Sequence, residues 1–135
     1  SFAGIDLNRH TTAHLVRAAH EGIAFSFYYG LEIMRGMGLD PSVIRAGKAN
    51  LFLSPLFRET LATLSGARIE LFNTDGSLGA ARGAALGAGF YASREEAFAS
   101  LRRLESVEPD PSRKAVLDEA YARWKAELQT RLNRS

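Results

Sequence analysis

Three places in this 135-residue chain carry groups that could do chemistry. The first is a histidine group: His10, His14 and His20 are the only three histidines, all near the start. His10 and His14 stand four apart, a spacing that puts both on one helix face as half of a metal site. No third ligand follows by spacing and no glutamate follows His10, so capping or hydrogen bonding is the expected role. The second place is Ala46-Gly47-Lys48-Ala49-Asn50, where a strand gives way to a loop and then a helix. Open α/β sheets bind ligands at the carboxyl ends of parallel strands. Lys48 could meet a phosphate there, or the stretch could be a turn and no more; the glycine spacing of a Walker A loop is missing. The third place is Asp75-Gly76 and the glycine-rich run behind it. Backbone N–H groups at a helix start favour anions, and glycine admits a ligand closely. Tight packing of a helix on a sheet accounts for the same glycines equally well.

The elements that must hold these groups follow from periodicity and punctuation. Phe2-Ala3-Gly4-Ile5 reads as a short strand or strand end. Thr11 or Thr12 can cap a long helix in which Leu15, Ala19, Ile23, Phe27 and Leu31 step by four. A second apolar stripe predicts that this helix, ending near Gly36, is the most buried element. Val43-Ile44-Arg45-Ala46 is the next strand. Ser54-Pro55 starts a helix with Phe57, Leu61 and Leu64 inward, and Gly66 suits its left-handed end. Arg68 to Phe72 alternates as a strand.

From Ser77 to Tyr91 the chain predicts a helix with Gly79, Gly83 and Gly87 on one ridge. Each interior glycine costs about 1 kcal/mol relative to alanine. Close backbone approach to a neighbour is the expected offset, so Gly83→Leu is expected to prevent folding or to cost several kcal/mol. Ser93 with Glu96 then opens a helix whose inner face is Ala97, Phe98, Leu101 and Leu104. After the rigid Glu108-Pro109-Asp110-Pro111, a last helix carries Leu117, Tyr121, Trp124 and Leu128 on one stripe. Strands separated by helices predict a parallel α/β arrangement.

Composition removes several classes. Cysteine is absent, which excludes disulfide scaffolds and thiolate zinc sites. With 46% apolar residues the chain is not disordered. A net charge of +2 is too small to argue for nucleic acid. No apolar stretch approaches the roughly 20 residues of a membrane span. Ser1 to His10 lack a signal-peptide pattern, and the expectation is a soluble, cytoplasmic domain.

Two segments together resemble the C-terminal region of the FGGY carbohydrate kinases. The first is Phe2-Ala3-Gly4-Ile5 followed, eight residues on, by His14-Leu15-Val16-Arg17-Ala18-Ala19-His20-Glu21-Gly22. It is close to that family's second signature, although His20 replaces an apolar residue. The second segment, Ala46 to Tyr91, is similar to the family's adenosine-binding stretch. It runs from strand and glycine loop through Ser54-Pro55-Leu56-Phe57-Arg58 and Gly66 to Gly79-Ala80-Ala81. Ala46-Gly47 stands where the family has a glycine pair or triplet, and the loop to Ser54 is longer. Within the family the likeness is greatest to xylulokinases.

That resemblance implies an α/β fold: part of a ribonuclease-H-like, actin-like ATPase lobe, with short strands and five mostly long helices. It implies that residues 1–135 are the C-terminal portion of the second lobe, with 109–135 a family-variable terminal helix. The parent would be a kinase moving the γ-phosphate of ATP, with Mg2+, to a sugar hydroxyl, most similarly D-xylulose. The sugar residues, the catalytic aspartate and the metal ligands would lie upstream, so the fragment alone is expected to be inactive. Asp6, Asp40 and Asp75 stand in no base motif of that family, and no catalytic residue is assigned. Ala46, Gly47, Asn50, Gly76 and Gly79 would border the nucleotide. A non-catalytic helical interaction module of the same fold is the alternative. An uncovered sheet edge and apolar surface around Phe2, Ile5, Ile69 and Leu71 are expected to lead to a homodimer or to pairing with the missing polypeptide.

Overall fold

A computed structural model describes residues 3–133. Helix α1 (Thr12–Gly36) is followed by strand β1 (Val43–Gly47), a 3-10 turn (Asn50–Leu53) and helix α2 (Pro55–Ser65). Strand β2 (Arg68–Phe72), helices α3 (Gly76–Gly87) and α4 (Arg94–Phe98), strand β3 (Arg103–Val107) and helix α5 (Pro111–Leu132) complete it. The sheet order is β1-β2-β3. β1 and β2 are parallel, with Ala46 opposite Leu71 and Gly47 opposite Phe72. β3 runs antiparallel to β2, with Leu71 opposite Glu105.

Local signals fix most ends. The Thr11 side chain and the His14 ring close a reciprocal box at the start of α1. Ser54 accepts from the Phe57 N–H, Pro55 follows it, and Gly66 ends α2 at φ 70°. Packing then gathers two clusters. Ala24, Phe57, Leu61, Ala62, Ile69 and Leu71 join α1 and α2 to one sheet face. Phe25, Leu64, Leu117 and Tyr121 join α1, α2 and α5. On the alternate side of β2, Glu70 is buried beneath Arg45 and Arg103, whose guanidinium nitrogens lie 3.1 and 2.9 Å away.

Several sequence expectations are corrected. Residues 3–5 form no strand, and Phe2 lies outside the described residues. The most buried element is α2, with Phe57 and every residue from Thr60 to Ser65 buried; α1 buries only Ala24 and Phe25. Leu101 and Leu104 do not extend a helix, because the chain turns after Phe98 and enters β3. The β2 backbone pairs with that stretch, which overrides its helical composition. The parallel expectation holds for β1 and β2 and fails for β3. No helix is long and apolar enough to cross a membrane, among the described residues.

The glycines of α3 have no close neighbour. A Cβ built at Gly79, Gly83 or Gly87 meets nothing within 4 Å, and α3 has no buried residue. The close approach expected at Gly83 is therefore absent among the described residues. The bare surface also lies elsewhere than expected: Ile69 and Leu71 are both 0% exposed at the centre of the core. Ile5 is exposed, but in an irregular segment rather than a strand. The sheet edges are β1 and β3, each paired with β2 alone among the described residues.

Candidate functional site

The end of β1 is held by backbone. The Lys48 N–H donates to the Phe72 carbonyl at 2.8 Å, continuing the parallel ladder one residue past the strand. Gly47 makes a close approach that only glycine allows: a Cβ would lie 2.8 Å from the Thr74 carbonyl carbon. Beyond it the chain reverses at Asn50, the one described non-glycine residue with positive φ, at 50°. Asparagine tolerates that left-handed geometry better than most residues, and such strain gathers at binding sites. The Asn50 side-chain amide has no hydrogen-bond partner among the described residues, whereas the nearby Phe52 carbonyl accepts from Arg58 at 3.1 Å.

Opposite this loop, α3 begins. Together they wall a cavity of about 360 Å3 lined by Phe27, Ala46, Gly47, Ala49 to Phe52, Asp75 and Gly76. The Phe27 and Phe52 rings both stand edge-on to the buried Phe57 ring, at 5.4 and 5.3 Å between centroids. That contact fixes the apolar wall to the core. Four residues singled out from the sequence, Ala46, Gly47, Asn50 and Gly76, are thus brought together. Gly79 is not; it sits further along α3, off the lining. Phe27 and Phe52 were missed as lining residues, whereas Asp75 stood with Gly76 among the places singled out from the sequence. Phe27 lay on the stripe read as core, and only the fold turns it to the cavity.

Asp75 changes the electrostatics of the helix start. Its Oδ1 accepts the Leu78 N–H at 2.8 Å and the Ser77 hydroxyl at 2.7 Å. These donors hold its carboxyl below the usual carboxylate range, the Leu78 amide contributing most. The first turn is therefore already served by an internal anion, and an incoming phosphate there meets a negative charge. Lys48 does not reach into the cavity; its ammonium lies 3.0 Å from Glu105. The remaining chemistry is that of a binding surface: two rings, several backbone groups, a free amide and one carboxylate suit a flat heterocycle with hydroxyl groups.

The histidines are structural where the hydrogen bonds define them. His14 Nδ1 takes the Thr11 N–H at 3.1 Å, and His10 Nδ1 takes the Asp6 N–H at 3.0 Å. His20 Nδ1 lies 3.0 Å from the Val16 carbonyl. These are the capping and hydrogen-bonding roles their spacing suggested.

No family model matches the chain. It is 35% identical over 120 residues to the L-xylulose/3-keto-L-gulonate kinase of Escherichia coli (strain K12), an alignment covering 85% of this chain and 24% of that protein. The crystal structure of xylulose kinase from Rhodospirillum rubrum superimposes with a TM-score of 0.76 at 27% identity, over 96% of this chain and 27% of that one. Over most of its length the chain is similar to sugar kinases of the FGGY type. The xylulose kinase of Brucella ovis shares the fold at a TM-score of 0.78, 23% identity, and 100% of this chain against 28% of its own. These neighbours are sugar kinases of the actin-like ATPase fold, and the five helices and three-stranded sheet are a part of it. The chain spans about a quarter of the length of the sugar kinases it matches.

Proposed function

We propose that this chain is the C-terminal part of the nucleotide-binding lobe of an ATP-dependent sugar kinase, and that the adenosine of ATP lodges between Ala46-Gly47, Asn50 and Gly76. The observation that carries this reading is Asn50. A left-handed asparagine with an unengaged amide stands at the rim of an apolar cavity backed by two phenylalanines. An adenine ring would fill the apolar wall, and the amide would meet its polar edge. Asp75 accepts from Leu78 and Ser77 through Oδ1, which leaves Oδ2 for a ribose hydroxyl. The activity of the whole kinase would be transfer of the γ-phosphoryl group to a sugar hydroxyl, the attacking oxygen replacing the ADP oxygen at phosphorus.

The proposed acceptor is a pentulose such as xylulose, supported by the names of the relatives above. No group of three or more His, Asp or Glu gathers to hold a metal among the described residues. By this reading the sugar site and the base that takes the hydroxyl proton belong to the remaining length of the kinase.

Titration of the chain with adenosine and with ATP, followed by amide resonances, tests the reading. Both ligands should shift residues 46–52, with dissociation constants of about 1 mM, equivalent to about −4 kcal/mol. Because the cavity reads the nucleoside, the two constants should agree within about threefold, roughly 0.7 kcal/mol. Shifts that map elsewhere, or none with adenosine, would overturn it.

A further inference from the structure

We propose that Glu105 is a positioning residue for this cavity, holding the loop from Lys48 to Leu53 in its binding shape. The role rests on the nucleotide reading above and deepens it. Glu105 comes from β3, and it reaches the loop through two different cations. Its Oε2 lies 3.0 Å from the Lys48 ammonium, and its Oε1 lies 2.7 Å from the Arg58 guanidinium. Arg58 uses another nitrogen to hold the Phe52 carbonyl at 3.1 Å. One carboxylate therefore secures both ends of the segment that carries Ala49, Asn50 and Leu51 along the cavity.

The Leu51 and Phe52 side chains pack against the core, but the backbone of the loop has few other restraints. Its own bonds are short-range turns, Ala49 to Gly47, Phe52 to Ala49 and Ser54 to Leu51. Among the described residues, only the Lys48 N–H bond to Phe72 ties its backbone to the sheet. The Arg58 side chain is 12% exposed, and Glu105 and Lys48 are 30% and 37% exposed. The grip is thus partly shielded from water, where a charged hydrogen bond keeps more of its strength. Lys48 and Arg58 also hold the Glu105 carboxyl below its usual range, Lys48 contributing most. Glu105 is accordingly ionised near neutrality and accepts from both cations. The grip also explains why Lys48, the one cation in the loop, is turned from the cavity. Its charge is engaged by β3, which leaves the cavity to read a nucleoside.

The test uses the same chain with Glu105→Gln, which keeps the shape and removes the charge. A second variant, Lys48→Met, keeps the stem and leaves Arg58 in place. In each, adenosine affinity should fall about fivefold. Amide resonances of residues 47–53 should move in the ligand-free protein while those of 112–132 stay. The double variant should lose little more than Glu105→Gln alone, since that change already removes the charge with which Lys48 pairs. Unmoved loop resonances, unchanged adenosine affinity, or losses that simply multiply would each overturn the role. If Glu105→Gln does not fold, Lys48→Met alone decides the question through its loop resonances and adenosine affinity. A parent chain that binds no adenosine overturns the nucleotide reading itself; a parent that binds while both variants bind equally overturns only Glu105.

Discussion

Helices α2 and α3 are nearly equal in length, 11 and 12 residues, and opposite in surroundings. Both start on a side-chain cap, Ser54 for α2 and Asp75 for α3. Yet Phe57, Leu61 and Leu64 of α2 are at most 2% exposed, while α3 buries nothing. Caps and punctuation therefore decide that a helix forms, and the ridge of large side chains decides what it is buried against. Small residues permit close approach without compelling it. The contrast is sharpest among the glycines: Gly47 stands against the Thr74 backbone, and Gly83 stands in open space.

The largest effect should come from the buried helix. Phe57 is 0% exposed and meets the rings of both Phe27 and Phe52. Phe57→Ala should cost about 3–5 kcal/mol in urea unfolding, and it should also loosen the apolar wall of the cavity. A loss under about 1 kcal/mol would mean that α2 is not the centre of the core.

Gly47→Ala comes next. Its methyl group would fall against backbone, which cannot rotate away as a side chain can. The ends of β1 and β2 must part, at about 1–3 kcal/mol. Adenosine binding should be lost with it, because Gly47 and the Asp75-Gly76 turn, which line the cavity, are displaced. Unchanged stability would refute the close approach seen here.

Glu32 tests the second cluster, where α5 meets α1. Its Oε2 accepts from the Tyr121 hydroxyl at 2.5 Å and lies 2.7 Å from the Lys125 ammonium. Burial pushes the Glu32 carboxyl up, and Lys125 and Tyr121 together more than reverse this, leaving it below its ordinary value. A depressed carboxylate contributes stability above its unfolded pKa and loses it as pH falls through the folded one. Glu32→Gln should therefore cost about 1 kcal/mol at neutral pH, given the partial exposure. The difference should vanish in acid below the carboxylate range. Urea midpoints at the two pH values check both the size and the sign.

Elements whose signals are local were legible in the sequence. The boundaries of α1, α2 and α5 follow from Thr11, from Ser54-Pro55 with Gly66, and from Asp110-Pro111. Strands β1 and β2 follow from short apolar runs between turns. β3 was not legible, because Leu101-Arg102-Arg103-Leu104-Glu105 is made of helix formers spaced as a helix. Only the register against Leu71 and Ile69, more than thirty residues earlier, makes it a strand. Glu105 could not be connected to Lys48 for the same reason. At the cavity, Ala46, Gly47, Asn50 and Gly76 were readable from the strand-to-loop pattern and the family likeness. Phe27 was not, since nothing in a stripe of apolar residues says which of them a neighbouring loop leaves uncovered.

The smallest expected effect has the opposite sign and bears most directly on the comparison. Gly83 lies in mid-helix, and beyond its own stretch of helix backbone no described atom lies within 4 Å of an added Cβ. Alanine there removes backbone freedom from the unfolded chain and meets no obstacle in the folded one. Gly83→Ala should stabilise this chain by about 0.5–1 kcal/mol. Gly83→Leu, which a packed glycine ridge would forbid, should then fold and unfold close to the parent. Urea unfolding of the two variants beside Gly47→Ala gives three glycine substitutions with two signs. If Gly83→Leu instead costs several kcal/mol, the ridge is covered in solution, and α3 is a contact surface where the structure shows open space. A light-scattering run on the parent at high concentration would then separate cover by a second copy from cover by the chain itself: only the first raises the mass.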